Sequence, residues 1–156
     1  MPGASISVRK NPLVIIVPGL QGDSTSLYIT SLVQEAHIYN FDAVIVNYRC
    51  QSNTKITSPH YYNGACHKDV KEAIDYIMDV RVDSKMLFGV GISLGASVLA
   101  NYVAMEKENC PLKAAVSVAC LFDLGQTFEH MRNHFFGFYD FILGIAVRFN
   151  GRSAIQ

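Results

Sequence analysis

A serine with a glycine two residues away on either side, Gly91-Ile92-Ser93-Leu94-Gly95, constrains this chain more than any other stretch. The apolar run at residues 86–90 precedes it and an Ala- and Leu-rich segment follows it, so a short strand is predicted to turn there into a helix. A serine hydroxyl stands clear of the backbone at such a turn only if the chain bends tightly, and flanking glycines leave room for that bend. The pattern is that of a nucleophile elbow, although a glycine-rich turn without chemistry has the same composition.

The remaining hydrophobic pattern alternates between strands and helices. Apolar runs typical of buried strands occupy residues 13–17, 43–48, 86–90 and 114–119, and helical patterns occupy residues 25–36, 68–80 and 94 to about 108. This alternation predicts an α/β fold with a parallel sheet and helices on both faces. Ligands of such sheets bind at the carboxyl ends of the strands, which Gly19, Ser93 and Asp123 all follow. We expect residues 1–156 to form a single domain, because this length suffices for one core.

Charge and cysteine content exclude several classes of function. The chain has 13 basic and 13 acidic residues and no basic stripe, so no nucleic-acid partner is expected. Its four cysteines, Cys50, Cys66, Cys110 and Cys120, form no C-x-x-C pair. We expect reduced thiols, no bound metal and, without a signal peptide or transmembrane segment, an intracellular and cytoplasmic location.

The elbow places specific demands on the rest of a serine esterase, which needs a nucleophile, two oxyanion donors and a base held by an acid. Ser93 is the candidate nucleophile, and the N–H of Leu94 at the helix start is one candidate donor. The second donor is expected from the loop Pro18-Gly19-Leu20-Gln21, and we assign it to Leu20 because the preceding glycine lets the backbone approach closely. A simple strand-ending turn has the same composition as this loop.

The base and acid are less clearly marked among the five histidines, which are His37, His60, His67, His130 and His134. His37 and His67 are expected at solvated helix ends, whereas His130 and His134 follow the fourth strand and are the candidate bases. Asp123 is positioned either to orient a histidine or to cap the next helix. The aromatic-rich residues 125–150 suit the start of a lid or an acyl-chain wall, with a buried core helix as the alternative.

Four stretches together match one known family. In order they are Pro18-Gly19-Leu20-Gln21-Gly22-Asp23-Ser24 with Tyr28-Ile29; Asn47-Tyr48-Arg49 with Pro59, Tyr61-Tyr62 and Asp69; Gly91 to Ala96 with Asn101-Tyr102; and Ala114-Ala115-Val116-Ser117 with Phe122-Asp123-Leu124. The chain resembles the α/β-hydrolase branch that includes YheT-like esterases, plant embryogenesis-associated proteins and phospholipase-like abhydrolases. This resemblance implies a serine hydrolase without a cofactor that acts on short- to medium-chain acyl esters, acylglycerols or phospholipids. Peripheral membrane contact is left open by the sequence. It gives Ser93 the role of nucleophile and Leu20 and Leu94 those of oxyanion donors.

The chain also departs from the family pattern. Pro18 stands where the family has a histidine, and Cys50-Gln51-Ser52 follow Arg49 where the family usually has a glycine. The family's catalytic Asp and His follow further strands, and Asp123 matches a position other than the catalytic acid. A catalytically incomplete relative that serves as an acyl-binding or interaction module is therefore the alternative to an esterase. Four strands alone also leave an uncovered sheet edge, from which we expect self-association.

Overall fold

The computed structural model describes residues 11–49, 51, 62–80 and 86–153. Strands and helices alternate through the sheet region. They are β1 (Leu13–Val17), α1 (Leu27–Ile38), β2 (Asp42–Ile45), α2 (His67–Val80), β3 (Leu87–Ile92), α3 (Leu94–Glu106) and β4 (Leu112–Val118). Two helices follow, α4 (Leu124–Asn133) and α5 (Phe138–Ser153), joined by a 3-10 turn at His134–Gly137. No helix within these ranges is long and apolar enough to span a bilayer.

All strand pairs are parallel, in the order β2-β1-β3-β4, which confirms the predicted α/β class. β1 lies at the centre and is entirely buried, whereas β4 forms one edge and is largely exposed. β3 pairs Leu87 with Leu112 and then Phe88 with Ala114, so β4 carries one extra residue, Lys113, at its start. The carboxyl ends of β1 and β3, where the candidate site lies, are aligned by the pairing of Val17 with Gly91.

Successive side chains of β1 point to opposite faces of the sheet and enter two separate cores. Leu13, Ile15 and Val17 pack with residues of α2 and α3, including Ile74 and Leu99. Val14 and Ile16 pack on the other face, which α1 covers through Ile29. Helices therefore lie on both faces, with two on one side and α1 on the other.

Several element boundaries differ by one to three residues from those predicted, and two of the differences have a clear local cause. β2 ends at Ile45 rather than at residue 48, because its partner β1 ends at Val17 and the chain turns away at Pro18. The N–H of Val46 still donates to the carbonyl of Ile16 at 3.0 Å, but no ladder continues beyond it. α1 begins at Leu27 rather than at residue 25, because Asp23 first closes a turn with Thr25 and Ser26.

Candidate active site

Ser93 lies between the last residue of β3 and the first residue of α3, where the sequence places the elbow. Its backbone has φ 53° and ψ −117°, a conformation that non-glycine residues rarely adopt. Holding it costs about 1–3 kcal/mol, which the surrounding structure must supply. One such restraint is the hydrogen bond that the N–H of Ser93 donates to the carbonyl of Val118, at 2.8 Å.

Gly91 and Gly95 are required by close contacts around this bend. A Cβ at Gly91 would stand 2.6 Å from both the Cα of Ala96 and the carbonyl oxygen of Gly95. A Cβ at Gly95 would overlap the carbonyl oxygens of Val17 and Pro18. α3 therefore packs directly against the end of β1, as the motif predicts.

The loop after β1 lies against the elbow. A Cβ at Gly19 would stand 3.3 Å from the Cβ of Ser93 and 3.4 Å from the carbonyl oxygen of Ile92, which is tighter than ordinary side-chain contact. Glycine at position 19 thus permits this loop to approach the serine closely. The two segments assigned to the oxyanion site are therefore neighbours in space.

The two predicted oxyanion donors have different local reasons to be available. Leu94 is the first residue of α3, so its N–H precedes the first intrahelical hydrogen bond. The N–H of Leu20 follows Gly19 in the loop, and within the described residues it donates to no acceptor. Whether these two N–H groups bind an oxyanion stays a prediction, but among the described residues neither donates a hydrogen bond to another group of the protein.

Asp123 acts as the N-cap of α4, the alternative that its position left open. Its Oδ1 accepts from the N–H of Gln126 at 2.9 Å, and its Oδ2 accepts from the Nε2 of Gln126 at 3.0 Å. It is exposed, and in the described part of the chain no histidine bonds to it. A helix cap accounts for its local contacts.

The candidate bases face one another. The rings of His130 and His134 lie 3.9 Å apart between centroids, and both side chains are exposed. No hydrogen bond joins either ring to Ser93 within the ranges described. His67 bonds to the carbonyl of Ala65 at the start of α2, and His37 lies in the exposed last turn of α1. His60 lies outside the described residues.

Other features near the sheet do not contribute to the serine site. An apolar cavity of about 350 Å³ opens beside α1, lined in part by Ile16, Phe88 and Val116. It lies along the middle of the strands, and Ser93, Leu20 and Leu94 do not line it. Among the described residues, no three His, Cys, Asp or Glu side chains gather as metal ligands do. The sulfur of Cys66 accepts the N–H of Asn63 at 3.2 Å. Cys110 and Cys120 are free thiols, whereas Cys50 lies outside the described residues.

Sequence reasoning missed the tyrosines that hold the loop after β1. The hydroxyls of Tyr28, Tyr48 and Tyr62 each bond to its backbone. All three belong to the stretches that match the family, but their partners are 9, 30 and 41 residues away along the chain. Only Tyr28 stands in the same matching stretch as the loop, so no local pattern pointed to Tyr48 or Tyr62.

Comparison with known proteins places the chain among abhydrolases. No protein-family model matches it. The embryogenesis-associated protein EMB8 of Picea glauca is 32% identical over 73% of this chain and 25% of its own length. The monoacylglycerol lipase of Saccharomyces cerevisiae is 33% identical over 72% of this chain and 25% of its own length. This chain therefore spans about a quarter of the length of these relatives.

A solved structure supports the same fold. The esterase Pf2001 from Pyrococcus furiosus superposes with a TM-score of 0.67 over 80% of this chain and 48% of its own, at 16% sequence identity. Identity at that level is informative about the fold alone. Together with the elbow, the parallel sheet and the abhydrolase relatives, it shows that the chain belongs to the α/β-hydrolase family.

Proposed function

We propose that the protein is a serine carboxylic ester hydrolase with Ser93 as its nucleophile. The observation that carries the proposal is the strained backbone of Ser93, φ 53°, at a strand-to-helix turn that lies against the Gly19 loop. Strain at a serine between a strand and a helix is the hallmark of an elbow that presents its hydroxyl to a substrate. Lys107 at the end of α3 has a similar conformation, φ 51° and ψ −122°, so the strain supports the proposal only in combination with the adjoining Gly19 loop.

The chemistry is acyl transfer in two steps. The Oγ of Ser93 attacks the ester carbonyl, its proton passes to a base, and the carbonyl oxygen becomes an oxyanion held by the N–H groups of Leu20 and Leu94. The alcohol then leaves with a proton, forming an acyl-enzyme. Water attacks the acyl-enzyme in the second step, releasing the acid and restoring the serine hydroxyl.

The substrate class proposed is short- to medium-chain acyl esters, acylglycerols or phospholipids. It is supported by a relative that is named as a monoacylglycerol lipase. Residues 125–150 are proposed as the start of a lid, since Phe136, Phe141 and Ile142 leave apolar surface exposed. The same surface supports the proposal of peripheral membrane contact.

One observation favours a second function, that of a catalytically incomplete acyl-binding or interaction module. Asp123 is occupied as a helix cap, the rings of His130 and His134 lie against each other, and among the described residues no hydrogen bond joins either ring to Ser93. Loss of one triad member typically lowers the rate by several powers of ten. The base and acid of an active enzyme would then have to come from residues other than these three.

Labelling with a fluorophosphonate, which reacts with activated serines whatever their natural ester, separates the two functions. The 156-residue chain, a chain extended beyond Gln156 and the Ser93→Ala variant of each are compared. Labelling of either chain that disappears in Ser93→Ala supports the esterase. Labelling of neither, in folded protein, would contradict it and favour the binding module.

A further inference from the structure

Three tyrosine hydroxyls hold the loop that lies against Ser93. Tyr28 in the first turn of α1 accepts a hydrogen bond from the N–H of Gly19 at 3.0 Å. Tyr48, after β2, donates to the carbonyl of Pro18 at 2.9 Å, and Tyr62, before α2, accepts from the N–H of Gln21 at 3.4 Å. We call Tyr28, Tyr48 and Tyr62 the tyrosine cradle, since three separate segments converge on one loop.

The cradle accounts for which amide of the loop stays available. Pro18 has no N–H, and the N–H groups of Gly19 and Gln21 are bound by the cradle. The N–H of Gly22 closes the turn by donating to the carbonyl of Gly19 at 2.9 Å. Among residues 18–22, Leu20 alone then has an N–H that donates to no acceptor in the described part of the chain. Its neighbours on both sides are fixed by tyrosines.

Two members of the cradle form a buried support. Tyr48 and Tyr62 stack with ring centroids 4.8 Å apart, and both are almost wholly buried. Burial raises the pKa of Tyr48 above its ordinary value, so its hydroxyl stays protonated and remains a donor to Pro18. Gln51 adds a hydrogen bond from its Nε2 to the hydroxyl of Tyr62, at 2.7 Å.

Tyr28 differs because its hydroxyl is held inside the loop while the side chain remains 41% exposed. A Cβ at Gly22 would overlap that hydroxyl, so glycine at position 22 leaves the space that Tyr28 fills. A Cβ at Gly19 would stand 3.6 Å from the same oxygen and 3.3 Å from the Cβ of Ser93. The Tyr28 hydroxyl and the Cβ of Ser93 therefore both border the space beside the Cα of Gly19.

From this geometry we infer that Tyr28 is a positioning residue for the oxyanion site: by binding the N–H of Gly19 it directs the N–H of Leu20 toward the site beside Ser93. The inference rests on the proposed function. No hydrogen bond joins the Tyr28 hydroxyl to Ser93 among the described residues, and its role is exerted through the backbone of Gly19. Removing one oxyanion donor lowers the rate about 10²–10³-fold. A donor that remains but is held less firmly should lower the rate by a smaller factor.

Binding of butylboronic acid tests the positioning role of Tyr28 at equilibrium. The acid forms a tetrahedral adduct with an activated serine, and the stability of that adduct is measured instead of a reaction rate. The Oγ of Ser93 bonds to boron and its proton is released to solvent, leaving a tetrahedral anion whose boron hydroxyl lies where the oxyanion would form. The dissociation constant is measured by boron NMR for the full chain and for Tyr28→Phe, Tyr76→Phe and Ser93→Ala. Tyr76 is the matched control, because it is 67% exposed on α2 and no partner for its hydroxyl occurs in the described ranges.

We expect Tyr28→Phe to weaken the boronate adduct about tenfold, Tyr76→Phe to leave it unchanged and Ser93→Ala to abolish it. Pentanamide, an uncharged ligand of similar chain length, should bind Tyr28→Phe and the unaltered chain equally, a result that general damage to the fold would not give. Tyr48→Phe serves as a second variant with the same expected direction.

Two results would overturn the inference in distinguishable ways. If the boronate binds through Ser93 and Tyr28→Phe binds it as tightly as the unaltered chain does, the inference is wrong and the proposed function stands. If neither the 156-residue chain nor the chain extended beyond Gln156 forms an adduct, or if Ser93→Ala binds equally well, the proposed function fails and the role of Tyr28 fails with it.

Discussion

Gly95→Ala tests whether close contact between α3 and β1 holds the elbow in place. A Cβ at Gly95 would overlap two backbone carbonyl oxygens and stand 2.7 Å from the carbonyl carbon of Val17, where ordinary contact begins at 3.4 Å. Backbone of a buried central strand cannot rotate away as a side chain does, so α3 must shift by about an ångström to relieve these contacts. The buried side chains of α3, including Leu99 and Tyr102, would move with it.

The expected cost follows from two opposing effects. Overpacking a core typically costs about 1–3 kcal/mol, and contact with backbone belongs at the upper end of that range. Alanine gains up to about 1 kcal/mol over glycine in a helix. We therefore expect the free energy of unfolding to fall by about 2 kcal/mol, equivalent to about 4–8 °C in Tm for a chain of this size.

Gly144→Ala is the matched control, because it makes the same exchange in helix α5 where a Cβ would meet nothing within 4 Å. It should raise the free energy of unfolding by about 0.5–1 kcal/mol through helix propensity alone. Urea unfolding followed by circular dichroism measures both variants, and fluorophosphonate labelling measures the elbow. Equal effects of the two substitutions, or a Gly95→Ala protein as stable as the unaltered chain, would refute the packing argument.

Three further predictions concern the loop, the cap and the sheet edge. Hydrogen bonds from Thr25 and Ser26 lower the pKa of Asp23 below its ordinary 3.8, so its contribution to stability is present above that pH and is lost as the pH falls below it. Acid unfolding of Asp23→Asn should therefore be less steep below about pH 4. Asp123→Ala should cost about 1 kcal/mol in thermal melts through loss of the α4 cap, with Ser93 labelling unchanged; lost labelling would instead indicate a catalytic carboxylate. The unaltered chain should sediment faster as its concentration rises, and Val116→Lys on the exposed edge strand β4 should suppress this, whereas a monomer at all concentrations would contradict self-association.

Local patterns were sufficient for most of the fold. β1 occupies the predicted residues 13–17, because a continuous β-branched run buried on both faces has few other structures available. The elbow was predictable because the close contacts at such a turn leave no room for a side chain, so any sequence that forms it needs glycines at these positions. The end of β2 was not predictable from its own residues, because it depends on where β1 ends. β1 ends just before Pro18, more than 25 residues earlier in the chain.

The candidate site likewise has features that local sequence predicts and features that it does not. Asp123 precedes a helix, and that local fact gives its capping role, while a catalytic role would need a histidine partner that no local pattern specifies. The tyrosine cradle joins residues as much as 41 positions apart, so its hydrogen bonds became visible only with the fold in place. Composition had no bearing on it, because nothing in the residue type distinguishes the buried Tyr48 and Tyr62 or the partly exposed Tyr28 from other tyrosines.

Pro18 shows why departure from a family pattern need not disable the site. The histidine that the resemblance places there is absent, and proline also removes an N–H from the loop. Yet Pro18 is buried, and its carbonyl accepts the hydroxyl of Tyr48 at 2.9 Å. The amide left available is that of Leu20, two residues further on, and it needs nothing from the nitrogen of residue 18. Proline, with φ fixed near −65°, also restricts the exit from β1, so it supports the loop position on which the proposed oxyanion site depends.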